Sequence, residues 1–151
     1  MEPQIVVKPA FTVVGLQMRV MPGMGNFSQL WERFGPRMME IAYPKPGAAY
    51  GIMDNYDETT GEWDYTAAVE VIQANGVPEG MVHVTIPAQT YAVFTSTLPS
   101  IGAMYKDIYE RWLPQSGYQH APAPEFEYYD AQFDPSDPNS VMAIYVPITA
   151  A

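Results

Sequence analysis

The chain has 151 residues, no cysteine, and 17 acidic against 7 basic side chains, for a formal charge of -10. The missing cysteines remove disulfides, thiolate metal sites and cysteine nucleophiles together, and so few Lys and Arg argue against a polyanion-binding surface. No apolar run reaches the length of a membrane span, and the N-terminal residues do not form a secretory leader. The expectation is a cytoplasmic protein with no membrane contact, no direct nucleic-acid binding and no cofactor.

Residues 4–20 carry Val, Ile, Phe and Leu at strand spacing, interrupted by Pro9. A proline is tolerated only at a strand edge or bulge, so this segment is two short strands or one bent strand. Met21 to Asn26 is a loop. Phe27, Leu30, Trp31, Phe34, Met38 and Ile41 then share one face of a helix over 27–41. Pro36 should kink or end that helix, because it has no N–H to give the preceding turn. Strands follow near 48–54 and 63–73, separated by a turn rich in Asp, Thr and Gly. A bent strand over 81–97, a helix over 99–113 and strands over 125–131 and 141–148 complete the chain. Ser100 is placed to cap the second helix, and Phe133 to Asn139 has the Pro and Asp density of a hairpin connection.

The order repeats. Shifted by 78 residues, Pro9-Ala10-Phe11-Thr12 falls on Pro87-Ala88-Gln89-Thr90, and Leu30-Trp31-Glu32-Arg33-Phe34-Gly35-Pro36 falls without a gap on Ile108-Tyr109-Glu110-Arg111-Trp112-Leu113-Pro114. Ala68-Val69-Glu70-Val71 then resembles Ala143-Ile144-Tyr145-Val146 at a shift of 75. One domain over 1–151, built of pseudo-repeats 1–78 and 79–151, is expected. The fold class is α+β: duplicated βαββ modules forming one antiparallel sheet, two helices on one face and a central cleft between the halves.

Chemical motifs are sparse. His83 and His120 are the only histidines, and no metal-ligand spacing accompanies them. There is no Walker loop, dinucleotide fingerprint or nucleophile elbow. Glu32-Arg33 and Glu110-Arg111 are sequence neighbours that diverge around a helix, so a solvated face explains them.

Carboxylates within strands stand out more. Alternation puts Glu127 on one side with Tyr129, and Phe126, Tyr128 and Asp130 on the other. A carboxylate among aromatic side chains is costly to bury without a partner, and a bound organic cation is one such partner. An outer, solvated sheet face is the competing reading for Glu127. The ten Met and the 13% aromatic content allow a pocket for an apolar cation as well as an ordinary core.

Several of these stretches resemble the GyrI-like, or AraC-type, effector-binding superfamily. They are Pro114-Gln115-Ser116-Gly117-Tyr118, Phe126-Glu127-Tyr128-Tyr129-Asp130, Phe133-Asp134-Pro135 and Ile144-Tyr145-Val146-Pro147. Tyr50-Gly51-Ile52 with Asp54, and Tyr65 to Val71, add to them in the first half. The resemblance implies two small βαββ (SHS2-type) modules with ligands between them. It also implies a stand-alone binding protein similar to integron-cassette proteins that bind lipophilic cationic drugs. By the same resemblance Glu127 meets the ligand's positive charge and Tyr145 lies beside it. Trp112, Tyr50, Tyr65 and Tyr91 are candidate walls, and Trp31 and Phe34 are more simply helix core. Two alternatives come with the superfamily: hydrolysis of electrophilic cyclopropane-type molecules with Glu127 as base, and a gyrase-modulating protein interaction. A protein partner or homodimer is compatible with each.

Overall fold

A computed structural model describes residues 2–151. Its strands are β1 (Gln4–Lys8), β2 (Phe11–Val20), β3 (Pro44–Asp54), β4 (Trp63–Val71), β5 (Val82–Ile86), β6 (Gln89–Thr97), β7 (Tyr118–His120), β8 (Glu125–Asp130) and β9 (Val141–Ala150). Pro9 and Pro87 fall in the gaps between β1 and β2 and between β5 and β6, where no ladder hydrogen bond is lost.

Helix α1 (Phe27–Phe34) starts at Asn26, whose Oδ1 accepts the N–H of Gln29 at 3.1 Å, and gives way to a tighter 3-10 turn, Gly35–Glu40, at Pro36. Helix α2 (Ile101–Asp107) widens into a π-turn, Ile108–Trp112, and closes with one α-turn, α3 (Leu113–Gln115). Pro114 has no N–H to offer Glu110, and Leu113 bonds back to the carbonyl of Ile108 instead. Ser100 occupies the N-cap position of α2, but its side chain makes no capping bond; its carbonyl accepts Met104 N–H.

All pairings are antiparallel, in the order β1-β6-β9-β8-β3-β4-β2-β5, with β7 on β9. β3 and β8 meet at the middle, with Gly51 opposite Glu127. The outer strands are exchanged: β1 pairs β6, and β5 pairs β2. Gly15 on β2 permits tight coiling there, since a Cβ would lie 1.9 Å from the carbonyl oxygen of Ala67.

Strand alternation divides the apolar residues between the two faces of the sheet. Val14, Leu16, Tyr65, Ala67 and Val69 pack under α1 with Leu30 and Phe34. Ala92, Phe94, Ile144, Val146 and Ile148 pack under α2 with Ile108. The opposite face carries Phe11, Tyr50, Ile52, Ile86, Tyr91 and Phe126 and has no helix over it. No helix among the described residues is long and apolar enough to cross a membrane.

Candidate functional site

The centre of the sheet, below the gap between α1 and α2, holds a buried carboxylate. β8 turns Glu125, Glu127 and Tyr129 toward the helices, and Glu127 is 8% exposed. Its neighbour across the strand pair is Gly51, and the missing side chain there leaves room for the hydroxyl of Tyr65 from β4. A Cβ at position 51 would stand 2.3 Å from Tyr65 Oη and 3.1 Å from Glu127 Oε1.

Three phenols close on this carboxylate. Tyr129 and Tyr65 donate to Oε1 at 2.8 and 3.2 Å, and Tyr105, from α2, donates to Oε2 at 3.0 Å. Trp31, from α1, donates its indole N–H to Tyr65 Oη at 3.0 Å and meets the Tyr129 ring edge-on at 5.7 Å. Both helices, β4 and β8 thus contribute to one cage. Glu127 forms no ion pair among the described residues. Burial pushes its carboxyl above the ordinary range, against the three phenol bonds, which favour the ionised form. The hydroxyls of Tyr65, Tyr105 and Tyr129 are held protonated by burial and by the adjacent carboxylate.

A second carboxylate, Glu125, lies two residues back on the same side of β8 and is 9% exposed. Tyr109, on the π-turn, donates to its Oε1, and His120 Nε2 lies 3.3 Å from the same oxygen. Burial, and then the charge of Glu127, push the Glu125 carboxyl up to about 8. Burial lowers the His120 imidazole, so this pair is not an ionic one at neutral pH. The site therefore retains a proton at pH 7 and has negative charge in reserve, with no cation among the described residues to meet it.

The six side chains expected to line one cleft lie apart. Glu127 and Tyr65 are in the cage. Trp112 packs edge-on against Phe94 at 5.1 Å in the core beneath α2. Tyr50, Tyr91 and Tyr145 lie on the helix-free face. The cause is register: Tyr145 pairs with Phe126, the residue before Glu127, and so points to the opposite side of the sheet. Its ring stacks on Phe126 at 4.6 Å. Tyr50 donates to Glu70 at 3.0 Å, and Tyr91 is fully buried with an unpartnered hydroxyl. Tyr50 and Tyr145 line a separate hollow of about 330 Å³ on that face.

Tyr105, Trp31 and Tyr129 are the cage members that sequence reasoning did not name for the site, and Glu125 stands beside them. Glu125 was discoverable, because it shares Glu127's side of the strand by simple alternation. Tyr105 and Trp31 reach the site only through the way each helix lies across the sheet.

Known proteins share this architecture. The transcriptional regulator BrlR of Pseudomonas aeruginosa is 43% identical over 98% of this chain, and the chain spans 56% of that regulator's length. Among solved structures, SAV2435 bound to tetraphenylphosphonium aligns with a TM-score of 0.79 at 16% identity, covering 99% of this chain and 94% of its own. The integron cassette protein VCH_CASS2 from the mobile metagenome of Vibrio cholerae aligns with a TM-score of 0.72 at 19% identity, covering 98% and 96%. At these identities the two structures show a common fold. The model of the GyrI-like small molecule binding domain matches residues 1–149. The chain belongs to the GyrI-like small molecule binding domain family.

Proposed function

We propose that this domain binds lipophilic organic cations, with Glu127 meeting the positive charge and Tyr65, Tyr105, Tyr129 and Trp31 forming the walls. One observation carries the reading: a carboxylate at the centre of the sheet, held by three phenols and, among the described residues, by no cation. The tetraphenylphosphonium bound to SAV2435 is a ligand of this chemical type. The proposal requires only this domain, and the kinship with BrlR extends it to a sensor of such compounds in transcriptional control. It also takes the chain as a duplicated unit, halves 1–78 and 79–151, an origin supported by a strand order that pairs like with like from either edge inward.

Before the cost of ordering the ligand, the contact terms favour exchange of phenols for ligand. Releasing two phenol bonds to a carboxylate costs about 3–6 kcal/mol. Burying about 300 Å² of phenyl surface returns roughly 7 kcal/mol. Cation–π contact adds about 0.5–2 kcal/mol for each well-placed ring. The half-buried Met53, whose sulfur lies 3.9 Å from Tyr105 Oη, can repack around ligands of different shape, which suits broad specificity.

Charge selection is the test. Tetraphenylphosphonium and tetraphenylborate share one shape and differ in sign, and Trp31 fluorescence reports occupancy of the cage. A unit charge near 4 Å from the carboxylate is worth about 4 kcal/mol at an effective dielectric of 20, so the phosphonium should bind at least about a hundredfold more tightly. Equal affinities would overturn the proposal.

A further inference from the structure

We infer that the helix-free face carries a second ligand site, of opposite charge preference, which takes a flat aromatic carboxylate. The hollow of about 330 Å³ on this face has the volume of a small-molecule pocket. Its floor is aromatic. Phe126 and Tyr145 stack at 4.6 Å, and the half-buried Tyr128 stands at 63° to Tyr50 and 64° to Tyr145. A second hollow of about 200 Å³ continues it past Tyr128 and Tyr145. A planar ring laid here meets the half-buried Tyr128 and Tyr145, with the buried Phe126 and Tyr50 packed behind them.

The charge of the hollow separates it from the cage. The chain has three lysines, and two of them, Lys8 and Lys45, line this one place. The only carboxylate lining the 330 Å³ hollow is Glu70, and both its oxygens are taken: Lys45 Nζ lies 3.2 Å from one, and Tyr50 donates to the other at 3.0 Å; Asp130 lies in the wall of the 200 Å³ continuation, away from the lysines. Lys8 has no carboxylate partner among the described residues. Its ammonium rests over the Phe11 ring, 4.3 Å from the centroid. The uncompensated charge in the hollow is therefore positive, in a protein that is otherwise strongly acidic. A carboxylate entering beside the rings exchanges a cation–π contact at Lys8 for an ion pair, while the aryl group covers Tyr128 and Tyr145. Organic cations are repelled by the same lysine. Two lysines are too few for nucleic acid, and the enclosed volume suits a compound of one or two rings.

The test uses the intact chain and three naphthalene probes of one shape: 2-naphthoate, 2-naphthamide and 2-naphthylmethylammonium. Each is titrated by calorimetry with and without saturating tetraphenylphosphonium, and amide chemical shifts locate the bound probe. Naphthoate should bind at least about tenfold more tightly than the amide, shift residues of β8 and β9, and persist alongside the phosphonium. Lys8→Gln, a substitution on an edge strand, should weaken naphthoate about three- to tenfold and leave phosphonium affinity within twofold. The inference is overturned by equal affinity for the amide, by an unchanged Lys8→Gln titration, or by competition between naphthoate and phosphonium. It is also overturned if the resonances of this face respond to protein concentration rather than to naphthoate, which would mark it as the seat of a second copy of the chain.

Discussion

Gly51→Ala tests the construction of the cage without removing any of its polar groups. The added methyl carbon would lie 2.3 Å from Tyr65 Oη and 2.8 Å from Tyr65 Cζ, against an ordinary contact near 3.4 Å. The hydroxyl must therefore retreat by about 1 Å, and it has nowhere to go. Tyr65 is 2% exposed, its ring meets Phe27 edge-on at 4.8 Å, and its hydroxyl is bonded to both Trp31 and Glu127. Overpacking of this kind costs about 1–3 kcal/mol, and the two hydrogen bonds contribute about 1 kcal/mol each. We expect a loss of roughly 3–5 kcal/mol in urea unfolding, with a fall in Tm of about 6–20 °C for a chain of this size. Tyr65→Phe removes the closest atom, so the double variant should recover part of the loss and the two changes should be non-additive. Strict additivity, or a Gly51→Ala protein as stable as the parent, would refute the close-approach argument.

Two further predictions concern protons. Glu125 titrates near 8 in the folded chain and near 4.5 when unfolded, so the folded state holds the extra proton between those values. Stability should fall as pH rises from about 4.5 through about 8, and the advantage of Glu125→Gln over the parent should grow across that window toward the order of 5 kcal/mol; denaturation curves at several pH values check this, and parallel parent and variant profiles would contradict it. Burial raises the Glu127 carboxyl, and a cation bound beside it favours the ionised form. Tetraphenylphosphonium affinity should therefore drop in acid, and binding should release protons. Calorimetry in buffers of different ionisation enthalpy measures this directly, and a pH-independent affinity with no proton release would argue against Glu127 as the binding group.

Most of the secondary structure was legible because its determinants are local. Apolar periodicity marks both helices and the long strands, and Pro9, Pro36, Pro87 and Pro114 each punctuate a boundary through a missing N–H. β7 escaped notice because three residues carry no pattern, and its existence depends on β9 alongside it. At the site, alternation within β8 assigns Glu127 and Tyr129 to one side. It does not say which residue of β9 stands opposite, and the pairing of Tyr145 with Phe126 sends that tyrosine to the other face. Tyr105 and Trp31 lie far from Glu127 in sequence and converge on it because α1 and α2 pack across the centre of one sheet. Such convergence is a property of helix placement, to which a single sequence gives little direct access.

The account rests on the claim that one caged carboxylate selects the ligand, and Glu127→Gln tests it, since the amide keeps the shape, removes the charge and turns one acceptor oxygen into an NH2 donor. Tetraphenylphosphonium titrated into the folded variant should bind about a hundredfold more weakly than into the parent, while the neutral triphenylphosphine oxide binds both within twofold. A phosphonium affinity unchanged by the substitution would contradict the account.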